Sequence, residues 1–385
     1  MNAESTGYDS TRIEMLEGWA AVRKRPGMYV GSTGERGLAQ MVFDVADRAV
    51  NEVLGGRATS VAITLTADGG LRVADDGPGI PVDGSDGAAG SGLEALLTET
   101  WSEAGVEDRH EVAFSAFGLG LGVINALSHR MTAEVRRGGI RWVQEYARGV
   151  AVTPVTEVGT ADGSGTTITF WPDADIFGRA QFSFDSLEKP FRELAPVYPL
   201  LDVSLADLRR PDEPRSVRIR FPGGLGKFVD VLDAHTAATP MDTLAFAQED
   251  SRMSGVLEVA FRWCGCPGER VRSYANGRPT LGGTHVTGFR RGAAAALTAY
   301  ARERGILTPS DPDIDPEGIG TGLTAVVSVK LDRPEFEGST RGVLGNAEVT
   351  KCLEDAVRDR LGKRLREDPE GAAAVGPIVR GARRG

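Results

Sequence analysis

The chain has 385 residues, 41% of them apolar and 25% charged, which is enough for two domains with cores of their own. A net charge of −10 excludes a chain-wide basic surface for nucleic acid, though not a local basic groove. No apolar run approaches the roughly 18 residues of a membrane span and the N-terminus has no signal-peptide pattern; three cysteines (Cys264, Cys266 and Cys352) are too few for a disulfide framework, so reduced thiols, a cytoplasmic location and no membrane contact are expected.

Thr11 is a candidate helix N-cap, followed by apolar residues at Ile13, Leu16, Trp19, Ala20 and Val22 and a stop before Pro26-Gly27. From Leu38, apolar residues at Met41, Val42, Val45, Ala49, Val50, Val53 and Leu54 predict a second helix, closed by Gly55-Gly56, with Asp44, Asp47, Arg48 and Asn51 on one side. Val61, Ile63 and Leu65 alternate, Ala67-Asp68-Gly69-Gly70 turns, and Leu71 and Val73 alternate again, which reads as a hairpin. A short helix at GLGVINALS and strands at MTAEVRR, GIRWVQEYARG and TTITFWP complete an α+β sandwich. Pro211 and Pro214 mark a turn or linker, and we divide the chain there into residues 1–213 and 214–385. The second part reads as strand (SVRIRF), helix (GKFVDVLD), strand (SGVLEVAFRWC), helix (FRRGAAAALTAYARERG), strand (TGLTAVVSVKL) and a long amphipathic helix (NAEVTKCLEDAVRDRLGKRLRED).

Three glycine-bearing stretches carry candidate chemistry. DDGPGIP leaves a strand and turns at once; Asp75 is an acceptor for an exocyclic amine of a base, and Gly77 and Gly79 let backbone approach a planar ring, although an ordinary Asx turn has the same composition. FGLGLG runs straight into an apolar helix, and amides at a helix N-terminus bind phosphates, although helix–loop packing also wants glycine. Thr166 in GSGTTITFWP starts a strand, where plain β-propensity also accounts for it. No Walker A pattern is present, which excludes a P-loop.

Taken in order, YDSTRIEMLEGWAAVRKRPGMYVGSTGERGL, DDGPGIP, VINALS, GTTITFWPDADIF, GGTHVTGFR and LTAVVSVKL resemble the N-terminal region of DNA gyrase B and its topoisomerase IV counterpart, in the GHKL ATPase superfamily. The resemblance covers nearly the whole chain from Tyr8. It implies a GHKL (Bergerat) ATP-binding sandwich with an N-terminal dimerisation arm, followed by a transducer domain similar to ribosomal protein S5. It also implies ATP as ligand and a homodimer in which Tyr8 approaches the partner's nucleotide. By the same resemblance Asp75 would bind the adenine amine, supported by Thr166, while Gly79, Ile80 and Pro81 frame the base. Gly118, Leu119 and Gly120 would face the phosphates, with Asn125 on the helix behind them, and Arg137 matches the arginine engaged by aminocoumarin-type inhibitors. As residues alone, Arg137 and Arg136 are also consistent with solvated strand-edge charges.

The departures from the family concentrate where catalysis would occur. The family's Glu-x-x-x-Asn helix, whose Glu polarises water and whose Asn holds magnesium, carries Asp44 and Arg48 here. Aspartate keeps a carboxylate of similar basicity on a shorter stem. A guanidinium has no acceptor and cannot ligate magnesium, so the magnesium requirement is left open. Arg48 is free to pair with Asp44, to face the phosphates in place of the metal, or to form a helix-surface bridge, with Glu52 a further i+4 partner. Ser115 and Phe117 replace a Gly and the His of the phosphate loop, Pro78 replaces a pocket-wall arginine and so removes a salt bridge, and the transducer's Gln-Thr-Lys loop reads Ser339, Thr340, Arg341. Arg341 keeps a positive charge for the γ-phosphate, or is a solvated loop arginine; Ser339 is shorter than the glutamine it replaces.

The chain ends where the family's TOPRIM domain would begin, so strand passage by this chain alone is not expected. The acidic DPDID stretch (Asp311 to Asp315) reads as a solvated loop. Three functions follow: a gyrase-B-like ATP-binding, dimerising module with weak or altered hydrolysis; a non-catalytic paralogue serving as scaffold, regulator or inhibitor decoy; or an ATP-dependent enzyme recruited to small-molecule, natural-product chemistry. DNA and a gyrase-type partner protein are further expected partners, with DRLGKRLRE and RGARRG as locally basic segments that also read as a solvated helix face and tail.

Overall fold

The computed structural model describes residues 18–82, 92–99, 120–234, 242–264, 268–338, 342–368 and 376. Helix α1 (Trp19–Lys24) and the single turn α2 (Gly27–Val30) lead into α3 (Glu35–Leu54). Strands β1 (Val61–Leu65) and β2 (Leu71–Asp75) form the expected hairpin, closed by Thr66 N–H donating to Gly70 O at 2.9 Å. Helices α4 (Leu93–Thr98) and α5 (Leu121–Ala126) follow, then strands β3 (Ser128–Arg137), β4 (Ile140–Ala147), β5 (Val150–Ala151), β6 (Thr156–Thr160) and β7 (Gly165–Pro172). Helices α6 (Ala174–Phe177) and α7 (Phe184–Leu194) and strands β8 (Asp202–Asp207) and β9 (Arg215–Arg220) complete the first unit.

Among the described residues these strands build one sheet in the order β5-β4-β3-β7-β2-β1-β8-β9, with β6 also pairing with β4. The alternation read in β1 is the alternation observed: Val61, Ile63 and Leu65 are buried and the residues between them are half-buried. α3 buries Leu38, Met41, Val42, Val45, Ala49, Val50 and Val53, a stripe at helical spacing, in the same core as those strand residues. The rings of Phe43 and Phe191 meet edge to face with centroids 5.9 Å apart, joining α3 to α7. α1 is fastened by Arg23, whose guanidinium donates to Ala126 O at 2.7 Å and to the buried Asp173 at 2.6 Å.

The second unit opens with α8 (Gly224–Leu232), then β10 (Leu244–Asp250), β11 (Gly255–Trp263), β12 (Arg270–Ala275), β13 (Arg278–Thr280), β14 (Gly282–Gly283) and α9 (Thr284–Glu303). Strands β15 (Leu323–Leu331), β16 (Phe336–Glu337) and β17 (Val343–Leu344) precede the long α10 (Ala347–Glu367). The main sheet runs β10-β11-β15-β12-β13 and is antiparallel except where β12 pairs with β15. β15 is buried on both faces over most of its length, as its nearly continuous apolar composition requires. One face packs with α9 and α10 around Phe261, Trp263 and Phe289; on the other, Ala260, Tyr274 and Val326 join the core of the first unit.

The division at 213/214 falls inside a hairpin. Pro211 and Pro214 flank a turn, Glu213 N–H donating to Arg210 O at 3.0 Å, and β9 pairs antiparallel with β8 along its whole length. The strand counted with the second part in the sequence is therefore hydrogen-bonded into the first sheet. Of the thiols, Cys352 is free and buried, but Cys264 is disulfide-bonded, which corrects the expectation of reduced cysteines there; Cys266 lies outside the described residues. Among the described residues no helix is long and apolar enough to cross a membrane.

Candidate functional site

The site is assembled where β2 ends. Asp75 is its last residue, and the ladder sets it opposite Val61 of β1 on one side and Thr166 of β7 on the other. Both Asp75 and Thr166 are buried, at 4% and 1% exposure. The chain then folds back over the strand end: Asp75 Oδ1 accepts the Gly77 N–H at 3.0 Å, and Thr166 Oγ1 accepts the Ile80 N–H at 3.1 Å. Asp76 points the other way, where it accepts the amides of Thr59 and Ser60 at 2.7 and 3.0 Å and the Thr59 hydroxyl. Although burial pushes the Asp76 carboxyl up, those donors together outweigh it and hold it below the ordinary range.

Two glycines are required by this fold-back. Gly79 has φ +78°, and a β-carbon there would stand 2.7 Å from Arg136 O. Gly165 has φ +147°, and a β-carbon there would stand 2.2 Å from Asp75 O. Arg137 Nη1 donates to Gly79 O at 2.9 Å, so this arginine braces the loop rather than standing as a solvated strand-edge charge. Ile80 is buried and Pro81 half-buried beside it.

The inward side of α3 faces the same strand end. Asp44 is buried, at 7% exposure. Arg48, one turn on, makes an ion pair from Nη2 to Asp75 Oδ2, and its Nη1 stands 3.7 Å from Glu52 Oε1. Of the partners read in the sequence for Arg48, Glu52 at i+4 is present at 3.7 Å, but the arginine's hydrogen-bonded partner is one the sequence did not offer, the buried carboxylate 27 residues away. Helix periodicity reports i+4 neighbours only, so a contact made through the sheet was invisible to it. Burial pushes the Asp75 carboxyl above the ordinary range; Arg48 and the Gly77 N–H oppose that, and Glu52 adds to it. Glu52 also accepts from Arg57 Nε at 2.7 Å.

The remaining sequence candidates divide. Gly120 caps α5 with φ +75°. Asn125 is fully buried and bound by protein: its Nδ2 donates to Leu97 O at 2.7 Å and its Oδ1 accepts the Gly149 N–H at 3.2 Å, tying α4, α5 and the β4–β5 turn together. Tyr8, Gly118, Leu119, Ser339 and Arg341 lie outside the described residues. Sequence reading missed the Arg23–Asp173 clasp and the Arg57–Glu52 pair. A cavity of about 640 Å³ opens elsewhere, between Phe177, Phe182 and the Asp207–Arg215 turn, away from Asp75.

Comparison with known proteins bears on this arrangement. A family described as histidine kinase-, DNA gyrase B-, and HSP90-like ATPase matches residues 33–176, and a DNA gyrase B family matches residues 224–382. The 43K ATPase domain of Thermus thermophilus gyrase B, solved in complex with an aminocoumarin, is 31% identical with a TM-score of 0.79, over 96% of this chain and 94% of that one. The chain belongs to the DNA gyrase B family. The gyrase B protein of Streptomyces coelicolor is 38% identical over 96% of this chain, and the novobiocin-sensitive gyrase B protein of Streptomyces niveus 37% identical over 97%. The chain spans 57% and 58% of those two proteins. Within the gyrase B family the two units are the GHKL sandwich and the transducer, and the α+β reading holds.

The resemblance implied a magnesium ligand at position 48. A guanidinium has no lone pair for a cation, and this one is committed to Asp75. The residues of α3 therefore do not fit a magnesium ion held at position 48.

Proposed function

We propose that this chain is a gyrase-B-type purine nucleotide-binding module, with ATP as the family's ligand, that forms a homodimer on nucleotide binding and has weak or altered hydrolysis. The observation that carries the reading is the pairing of Asp75 with Thr166 across β2–β7, both buried, beneath a loop that Gly79 lets fold back against Arg136 O. In this reading Asp75 and Thr166 take the base, Gly79, Ile80 and Pro81 frame it, Arg137 edges the pocket, and Gly118, Leu119 and Gly120 face phosphate. Asp44 is the water-polarising carboxylate, one methylene short of glutamate, and a misplacement near 1 Å costs about a hundredfold in rate. Ser339 and Arg341 complete the γ-phosphate contact, and Tyr8 reaches the partner's site. The nucleotide-binding unit runs from residue 1 through β9 and the transducer follows from α8, the 213/214 boundary read in the sequence shifting past the β8–β9 hairpin. DNA, a gyrase-type partner protein and a cytoplasmic setting belong to the same proposal.

A second reading, a non-catalytic paralogue acting as scaffold, regulator or inhibitor decoy, is favoured by Arg48 lying on Asp75 instead of toward phosphate. ATPase rate and dimer state, measured side by side with ATP and its β,γ-imido analogue, separate the two. Dimerisation with slow turnover supports the first. Nucleotide binding without dimerisation or turnover supports the second, and absence of binding with and without magnesium removes the first. Arg48→Asn combined with Asp44→Glu is expected to raise turnover where the rest of the site is intact.

A further inference from the structure

A carboxylate offers only lone pairs, so a base approaching Asp75 alone would meet an acceptor. Here Asp75 Oδ1 accepts the Gly77 N–H and Oδ2 accepts from Arg48. Arg48 reaches Glu52 with Nη1 at 3.7 Å, beyond hydrogen-bond length, and its side chain keeps 22% of its surface exposed. A guanidinium carries five N–H donors, no acceptor and a permanent charge. The base end of the site therefore presents a donor-bearing cation directly beside its carboxylate.

We infer that Arg48 sets the base preference of this site, favouring 6-oxopurine nucleoside triphosphates over 6-aminopurine ones. This rests on the nucleotide-binding reading and refines which purine is taken. A 6-amino group has only donors to offer: one N–H can take a remaining lone pair of Asp75, but the group then sets N–H against the N–H donors of Arg48. A 6-oxo group is an acceptor for the arginine, the pairing by which arginine takes O6 and N7 of guanine. The N1–H of the same ring donates to a remaining lone pair of Asp75. An asparagine at position 48 would carry no charge and leave Oδ2 open to an amine.

The test is calorimetric titration of the full chain with the β,γ-imido analogues of ATP, GTP and ITP, with magnesium and with EDTA. ITP carries the 6-oxo group without the 2-amino group, so it isolates the contact at issue. The wild-type chain is expected to bind the GTP and ITP analogues at least about tenfold more tightly than the ATP analogue, the discrimination one good arginine–base contact supplies. Arg48→Asn is expected to abolish or reverse that ratio, with thermal unfolding run alongside to show that the variant folds. The wild-type ratio needs no variant: tighter binding of the ATP analogue overturns the inference and leaves the nucleotide-binding reading standing. A preference for GTP and ITP that survives in folded Arg48→Asn also overturns it, by taking the preference away from Arg48. Binding of none of the three removes the nucleotide-binding reading and this inference with it.

Discussion

Helices α3 and α9 are each 20 residues long and each lies inside one of the two cores, yet they close against their neighbours in opposite ways. α9 closes by smallness. Gly288 and Gly292 let α10 approach until a β-carbon at either would stand 2.4 Å from Thr350 O or 2.5 Å from Glu354 O. α3 buries an apolar stripe as well, but its inward side also carries Asp44 and brings Arg48 onto Asp75. In the first case backbone meets backbone, so hardly any side chain can be exchanged without moving a helix. In the second, long polar side chains span the gap to the strand end, and their identities can change while the helix stays where it is. That difference lets positions 44 and 48 depart from the family's catalytic pattern while α3 keeps its place.

Three measurements press on this contrast, beginning with the largest expected effect. His285, in the first turn of α9, is fully buried, with Nε2 3.1 Å from Thr280 Oγ1, and burial pushes its imidazole down to about 4. The unfolded chain takes up that proton near the ordinary value of about 6.5, before the folded chain does. Stability from this group is therefore fully present above about pH 6.5 and lost as pH falls toward 4, by roughly 3 kcal/mol over the window. Unfolding midpoints measured from pH 7 to 4.5 should fall accordingly, and His285→Gln should flatten the profile. An unchanged profile in the variant would mean that other groups carry the acid sensitivity. Next comes Gly288→Ala, which places a methyl group against the Thr350 carbonyl. A loss of about 1–3 kcal/mol in urea unfolding is expected from overpacking; a neutral result would show that α9 and α10 can slide apart and that their closeness is not required.

Much of this fold is legible in the sequence, because its patterns are local. The α3 stripe, the β1–β2 alternation around its glycine turn and the long apolar β15 all follow from spacing. α7 escaped that reading. Pro190 sits inside Phe184–Leu194 and reads as a helix breaker, while burial of Phe184, Leu187, Phe191 and Leu194 at helical spacing overrides it. The Pro211–Pro214 stretch reads equally as linker or hairpin turn, and only the partner strand decides. At the site, the sequence supplied Asp75, Thr166 and Gly79 from motif order. It did not supply the Arg48–Asp75 pair, since nothing in a helical repeat says which strand end the helix will cover.

The smallest expected effect tests whether that pair stands alone. Glu52 is shared: Arg57 donates to it at 2.7 Å, while Arg48 stands 3.7 Å away and is held mainly by Asp75. The Arg57 side chain is 57% exposed, and an exposed ion pair contributes about 0–1 kcal/mol, less as salt rises. Arg57→Ala should therefore cost about 0.5 kcal/mol or less and leave the ratio of ATP to GTP analogue affinities within about threefold of wild type, as expected for sites that do not couple. Removing Arg57 frees Glu52 to draw Arg48 outward along α3, and among the described residues the Asp75 contact resists that pull. A larger change in the ratio would show that Glu52 positions Arg48 as much as Asp75 does. The base end of the site would then be a four-residue charge network extending to the surface, and its ligand preference would vary with ionic strength; a ratio that holds from low to high salt in the variant leaves the buried pair as the determinant.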